Sequence, residues 1–258
     1  MAFDTILFEK DNHVAKITLH IPETKNALSL EMRAELIELF REIADDASVN
    51  VVVLTGSGNA FCSGGDIRTM EGIAAIPARI RLKKGQRLIK AMTELEKPII
   101  GAINGIAAGA GVSIALACDI LIASENAKFT VSFVKVGLIP DWGQYYFLPQ
   151  RVGLARAKEL MFTGDVIDAH EAERIGLINR IVLPDKLEEE ASSLARRFAT
   201  GPGQAYAMIK AALGRWPANL ETFLEMESTM QAVAFSSEDF DEGRRGFLEK
   251  RKPTFHGR

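Results

Sequence analysis

Histidine and cysteine are both scarce in this 258-residue chain, which has four of the first and two of the second. No two histidines stand at metal-ligand spacing, so no metal is expected. Cys62 and Cys118 cannot build a disulfide framework, and neither belongs to a CxxC pair, so a reducing compartment is the natural reading. Charge of one sign is not in excess. A net charge of −3 gives no general attraction to nucleic acid or to an anionic membrane, so neither partner is expected. The first residues, "MAFDTILFEKDNHVAKITL", carry acids early and have no basic-then-apolar leader, and a cytoplasmic protein is expected. One run, residues 98–124, is long and apolar enough to suggest a membrane span. Its glycines and Asp119 divide it into strand, loop and helix, and it reads as core.

What is present is an alternation. "HVAKITLHI" has the period of a strand, and "NVVVLTG" is a fully apolar strand ending at glycine. Between them "LSLEMRAELIELFREIADD" reads as a helix with Ser29 as N-cap and with Ile37, Phe40 and Ala44 on one face. Helix, strand, helix and two strands follow in "RIRLKKGQRLIKAMTELE", "KPIIGAI", "GVSIALAC", "DILIAS" and "AKFTVS". This order predicts an α/β fold with mostly parallel pairing. From Val152 onward the text turns helical, with "NRIVLP" as the one clear strand. A boundary near residue 200, at "TGPG", divides an α/β core (1–200) from a helical C-terminal piece (201–258) whose apolar positions need a partner.

Three stretches carry possible chemistry. In "GNAFCSGGDIRTM", residues 58–70, Gly64 and Gly65 either make a tight turn with Asp66 capping the next helix, or let the backbone approach a ligand and turn its N–H groups outward. In "NGIAAGAGVSIALAC", residues 104–118, small residues lead into an apolar helix whose first N–H groups are unpaired and suit an anion. Close helix packing explains the same residues equally well. The stretch is neither a dinucleotide fingerprint, since Ile114 stands where the third glycine belongs, nor a complete nucleophile elbow around Ser113. The third stretch, "VGLIPDWGQYYFLPQ", sets a lone Asp141 among apolar and aromatic residues. It is either turn chemistry or a desolvated carboxylate suited to moving protons.

Taken together, and in this order, these segments resemble the crotonase superfamily, the enoyl-CoA hydratase/isomerase family. The likeness runs over essentially the whole chain. It is carried by "KNALS" (25–29), "VVVLTGSGNAFCSGGDI" (51–67), "KPIIGAINGIAAGAGVSIALACDILIAS" (97–124), "AKFTVSFVKVGLIPDWG" (127–143) and "GFLEKRKPTF" (246–255). The resemblance implies a right-handed spiral of ββα units with a C-terminal helical region that builds trimers or pairs of trimers. It implies an acyl-CoA thioester as substrate and no separate cofactor, coenzyme A being part of the substrate. The thioester oxygen would accept from the amides of Gly65 and Ala110. Coenzyme A would run past Ser63, Gly64, Gly65, Asp66 and Ile67, with Phe247 and Lys250 near its nucleotide from a neighbouring subunit.

Hydratases of this family hold water between two glutamates. Ser113 and Phe133 occupy those places here, while Asp141 falls where several isomerase relatives carry a functional aspartate. "GLIPDWG" looks most like the isomerases of phenylacetyl-CoA metabolism. The expected activity is therefore an enoyl-CoA isomerase with Asp141 as proton shuttle and with Ser113, Phe133 and Trp142 lining the acyl pocket. The alternatives are hydration at the same site or a catalytically weak acyl-CoA-binding relative.

Overall fold

The computed structural model describes residues 3–257. Strands β1 (Ile6–Asp11) and β2 (Val14–Leu19) form an antiparallel hairpin, and helix α1 (Leu30–Asp45) follows. The Ser29 side chain accepts from the Met32 amide and caps α1 as expected. The buried face of α1 is Met32, Leu36, Leu39, Phe40 and Ile43, whereas Ala44 is exposed. Phe40 is buried as expected and Ile37 is partly buried, while Leu36 and Ile43, each one residue earlier than the predicted Ile37 and Ala44, complete the buried face.

The next three windings share one plan. Strands β3 (Val51–Gly56) and β4 (Ala60–Cys62) precede helix α2 (Ala75–Glu94). Strands β5 (Ile99–Ile103) and β6 (Ile106–Ala108) precede α3 (Ala110–Leu116), and β7 (Ile120–Ser124) and β8 (Lys128–Thr130) precede α4 (Gln144–Thr163). The first strand of each winding joins one sheet and the second joins another. The six-stranded sheet has the order β1-β2-β3-β5-β7-β10 with β10 at Arg180–Val182. The four-stranded sheet has the order β4-β6-β8-β9 with β9 at Val166–Asp168. Only the β1–β2 and β8–β9 pairs are antiparallel. Parallel neighbours reached through helical crossovers are what the alternation predicted.

Two differences from the sequence reading have simple causes. Helix α4 begins at Gln144, eight residues before the predicted change of texture, and is broken at Gly153 (φ 75°, ψ 158°). Pro149 and Gly153 obscure its period. Strand β9 was missed because three residues show no periodicity.

The main core lies between the sheets and α1 to α4. A second cluster covers the outer face of the larger sheet, where Leu187, Ala191, Ala195 and Ala199 of α6 (Leu187–Ala199) pack on Val51, Val53, Ile100, Ala102 and Ile122. The short α5 (Ala169–Arg174) precedes β10. Helices α7 (Gly203–Leu213) and α8 (Leu220–Phe235) bury no residue fully, and α9 (Glu238–Glu249) buries only Asp239 and Gly246. No helix among the described residues is long and apolar enough to cross a membrane.

Candidate active site

Strands β4 and β6 are parallel neighbours, and each ends in a small-residue turn. Adjacent strands lie about 4.8 Å apart, so the turns that follow them are side by side. The contact is tight. A Cβ on Gly64 (φ +96°) would stand 2.7 Å from the Ala108 carbonyl oxygen and 3.4 Å from the Ala110 nitrogen. Only glycine can adopt that φ without strain and clear the opposite loop.

Both turns leave N–H groups free. Gly64 O accepts from the Leu28 amide at 2.8 Å, and among the described residues the Gly65 N–H has no main-chain acceptor. Ala110 opens α3 directly after Gly109, so its N–H has no intrahelical acceptor. Two unpaired donors on adjacent turns, one of them at a helix N-terminus, are what a developing oxyanion requires. Each segment therefore packs tightly and still leaves an unpaired amide.

The other residues near Gly65 divide by what they touch. The Ser63 hydroxyl donates to Thr24 O at 2.8 Å, which pins the loop. Asp66 caps the following turn by accepting from the Arg68 amide, and it also pairs with the Arg68 guanidinium at 2.9 Å. Ile67 is exposed on that turn. Met70 Cε would lie 2.8 Å from a Cβ on Gly65, so the methionine closes over this turn.

Asp141 is mostly buried, and its Oδ1 has no hydrogen-bond partner. Loss of water around it pushes its carboxyl group up to about 6, against a smaller opposing pull from the Arg33 cation. Its main chain is held firmly. The carbonyl accepts from Ser113 Oγ at 3.1 Å and from the Gln144 amide at 3.2 Å. Ser113 is fully buried, so its hydroxyl anchors Asp141 and is not open to a ligand as the sequence reading had it. It is no nucleophile either, since all four histidines are exposed and none is placed to serve it.

Trp142 likewise differs from expectation. It has φ +50°, an unfavourable region for a bulky residue. Its indole is 2 % exposed and belongs to the core, so it backs the site without facing a ligand. A Cβ on Gly85 of α2 would fall 2.2 Å from Trp142 Cζ2, so that glycine is what admits the ring. Phe133 is partly buried, with its ring edge 3.8 Å from the Cβ position of Gly109. Phe247 and Lys250 lie at the far end of the chain, the former 85 % exposed on α9 and the latter ending that helix at φ +55°.

Two residues of this neighbourhood were not singled out from sequence. Gln144 is fully buried, and its Nε2 donates to Gly109 O at 2.6 Å, fixing the residue before Ala110. Arg33, on α1, lies with its guanidinium carbon 5.0 Å from the centre of the Trp142 ring, and its Nη2 is 3.5 Å from the Cβ position of Gly65. Arg33 thus borders one free amide and the buried carboxylate at once. Both cysteines are buried free thiols whose surroundings push them up to about 12, so they are inert.

Comparison with known proteins agrees with this geometry. Residues 9–258 match the family model described as enoyl-CoA hydratase/isomerase. The chain is 36% identical to a crotonyl-CoA hydratase of Syntrophomonas wolfei, over 99% of both chains. It is 38% identical to a 1,2-epoxyphenylacetyl-CoA isomerase of Escherichia coli, over 98% of both. The crystal structure of an enoyl-CoA hydratase from Bacillus anthracis superposes with a TM-score of 0.95 at 34% identity, covering 99% of this chain and all of the other. The two-sheet winding, the paired glycine-rich turns and these matches lead to one conclusion: the chain belongs to the enoyl-CoA hydratase/isomerase family, the crotonase superfamily.

Proposed function

We propose that the protein is an enoyl-CoA isomerase that moves a double bond through a thioester enolate, with Asp141 carrying the proton. The observation that supports this most is the largely buried Asp141 carboxylate, unpaired at Oδ1 and raised to about 6. The thioester oxygen accepts hydrogen bonds from the Gly65 and Ala110 amides, which lowers the energy of the enolate. Asp141 removes a proton from the acyl Cα and returns it at Cγ, or the reverse, so the alkene shifts and no atom is gained or lost. One carboxylate suffices because no water is added. Positioned proton transfer of this kind contributes roughly 10²–10⁴-fold.

A hydratase reading has its own support in the relatives named as hydratases, the crotonyl-CoA hydratase among them. Asp141 would then activate water alone, since Ser113 and Phe133 replace both glutamates. Product analysis on a 2-enoyl-CoA separates the two readings: a shifted alkene is the isomerase product and a 3-hydroxyacyl-CoA the hydratase product. Incubation in D₂O with a panel of acyl-CoAs then identifies which substrate is enolised.

The C-terminal helices are proposed as the trimer-forming region. Leu220, Leu224 and Phe235 of α8 are exposed apolar residues in search of a partner surface. Phe247 and Lys250 would then meet the coenzyme A nucleotide of a neighbouring subunit.

A further inference from the structure

A cleft of about 1030 Å³ lies between α1 and α2. Arg33 stands in its wall, and through Arg33 the cleft reaches the neighbourhood of Gly65 and Asp141. We propose that this cleft receives an acyl group that carries a carboxylate, with the terminal guanidinium nitrogens of Arg33 as its ion partner. The proposal rests on the acyl-CoA reading of the site and adds the class of acyl group.

The argument starts from an imbalance. Arg33 is only 7 % exposed, and a cation buried to that degree is normally paired. Its Nε donates to Leu28 O at 3.1 Å. Neither terminal nitrogen has a hydrogen-bond or ion-pair partner among the described residues. The acids that could neutralise it are occupied or too distant. Asp66 is held by Arg68, and Asp141, though close enough to influence Arg33, makes no ion pair with it. The Trp142 ring beneath the guanidinium provides a flat support that leaves its outer edge open.

The rest of the cleft head adds positive charge. Arg81 lies close enough to Arg33 to destabilise its protonated form and is held by the Thr69 carbonyl at 2.7 Å, and Lys84 lines the same wall. Ile37, Ile73 and Ile80 supply apolar surface between these cations, and the acids of the cleft, Glu38, Glu42 and Asp45, occupy later turns of α1. Apolar surface beside an unpaired arginine suits a short hydrocarbon segment ending in a carboxylate, to whose oxygens the planar guanidinium donates two parallel bonds. An uncharged acyl chain seated there would cover these nitrogens without pairing them.

Calorimetric titration tests this with three saturated, unreactive thioesters of equal length: glutaryl-CoA, its carboxamide analogue and pentanoyl-CoA. All three share the phosphates of coenzyme A, so a difference among them reports the acyl terminus alone. The expected result is glutaryl-CoA binding roughly ten- to a hundredfold tighter than the other two, the range for one charge-assisted contact. In Arg33→Met the preference disappears, and in Arg33→Lys part of it remains. Equal affinities in the unaltered protein, or a preference that survives in Arg33→Met, overturn the proposal. Should Arg33→Met fail to fold, the three-ligand comparison on the unaltered protein still decides. Pentanoyl-CoA binding as tightly as glutaryl-CoA removes only the carboxylate, whereas failure of all three to bind removes the acyl-CoA reading beneath it as well.

Discussion

Ser113 Oγ donates to the main-chain carbonyl of Asp141 at 3.1 Å, and this bond joins the helix that offers a free amide to the residue that carries the buried carboxylate. Gln144 makes the reciprocal tie, from the start of α4 back to Gly109 O at 2.6 Å. The amide of Ala110 and the carboxylate of Asp141 are therefore held in a fixed relation by two side chains that need never touch a substrate. Their preorganisation is the physical basis of the predictions that follow.

Replacing Asp141 by Asn keeps the shape of the side chain and removes its ability to accept a proton. Isomerase turnover should fall by at least about a hundredfold while acyl-CoA affinity changes little. Steady-state kinetics paired with calorimetric binding check this. Unchanged turnover would take the residue out of the mechanism.

The same carboxyl group predicts a pH dependence. A base raised to about 6 is active only when ionised, so kcat/KM should fall about tenfold per pH unit below 6. Because the Arg33 cation opposes the rise, Arg33→Met should move this limb to higher pH. A pH–rate profile of both proteins is the measurement.

Stability follows with the sign fixed by linkage. The folded carboxyl group binds its proton more tightly than the unfolded one, so its favourable contribution is present below about 3.8 and is lost as pH rises through about 6. The difference amounts to at most ~3 kcal/mol. Asp141→Asn should therefore melt several degrees higher than the unaltered protein at pH 8, with the gain gone near pH 4. Thermal melts at the two pH values decide it.

At Gly64 the backbone itself is the target. Gly64→Ala drives a methyl group toward the Ala108 carbonyl and forces residues 64–65 away from α3. Displacing one oxyanion donor costs about 3 kcal/mol, so turnover should drop roughly 10²–10³-fold. Hydrogen exchange and circular dichroism should show the rest of the fold intact.

Gly85→Ala probes the wall behind Asp141. Alanine is favoured over glycine in a helix by about 1 kcal/mol, but here its methyl group overlaps the Trp142 ring. Overpacking of a stiff indole typically costs 1–3 kcal/mol. A lower melting temperature with altered tryptophan fluorescence is expected, and a rise in stability would contradict the packing described.

Light scattering should give a mass three times 28.3 kDa, or six times if trimers pair. Charged substitutions at Leu220 and Leu224 should lower it toward the single chain.

How much of this was legible in the sequence depended on length scale. Strands such as β3, and helices with clear caps such as α1, announce themselves within a few residues. Strands β4, β6 and β9 have three residues each and exist only because a neighbour pairs with them. Gly64, Gly65 and Asp141 were visible because each is chemically out of place in its local text. Arg33 and Gln144 were not, because a polar residue in an amphipathic helix looks ordinary until the far segment it touches is known. The roles of Ser113 and Trp142 were misread for a related reason. Sequence places a residue near a site, and only packing tells whether its side chain faces the cavity or the core.

The alternate assignment of strands to two sheets has a lasting consequence for how such a scaffold can diverge. The separation of the two amides is inherited from the ladder between β4 and β6 and from the glycine turn that follows β4, which are features of the main chain. The wall of the cleft between α1 and α2, in contrast, is made of side chains, Ile37, Ile73 and Ile80 among them. A change of side chain there reshapes the cleft without moving the two turns.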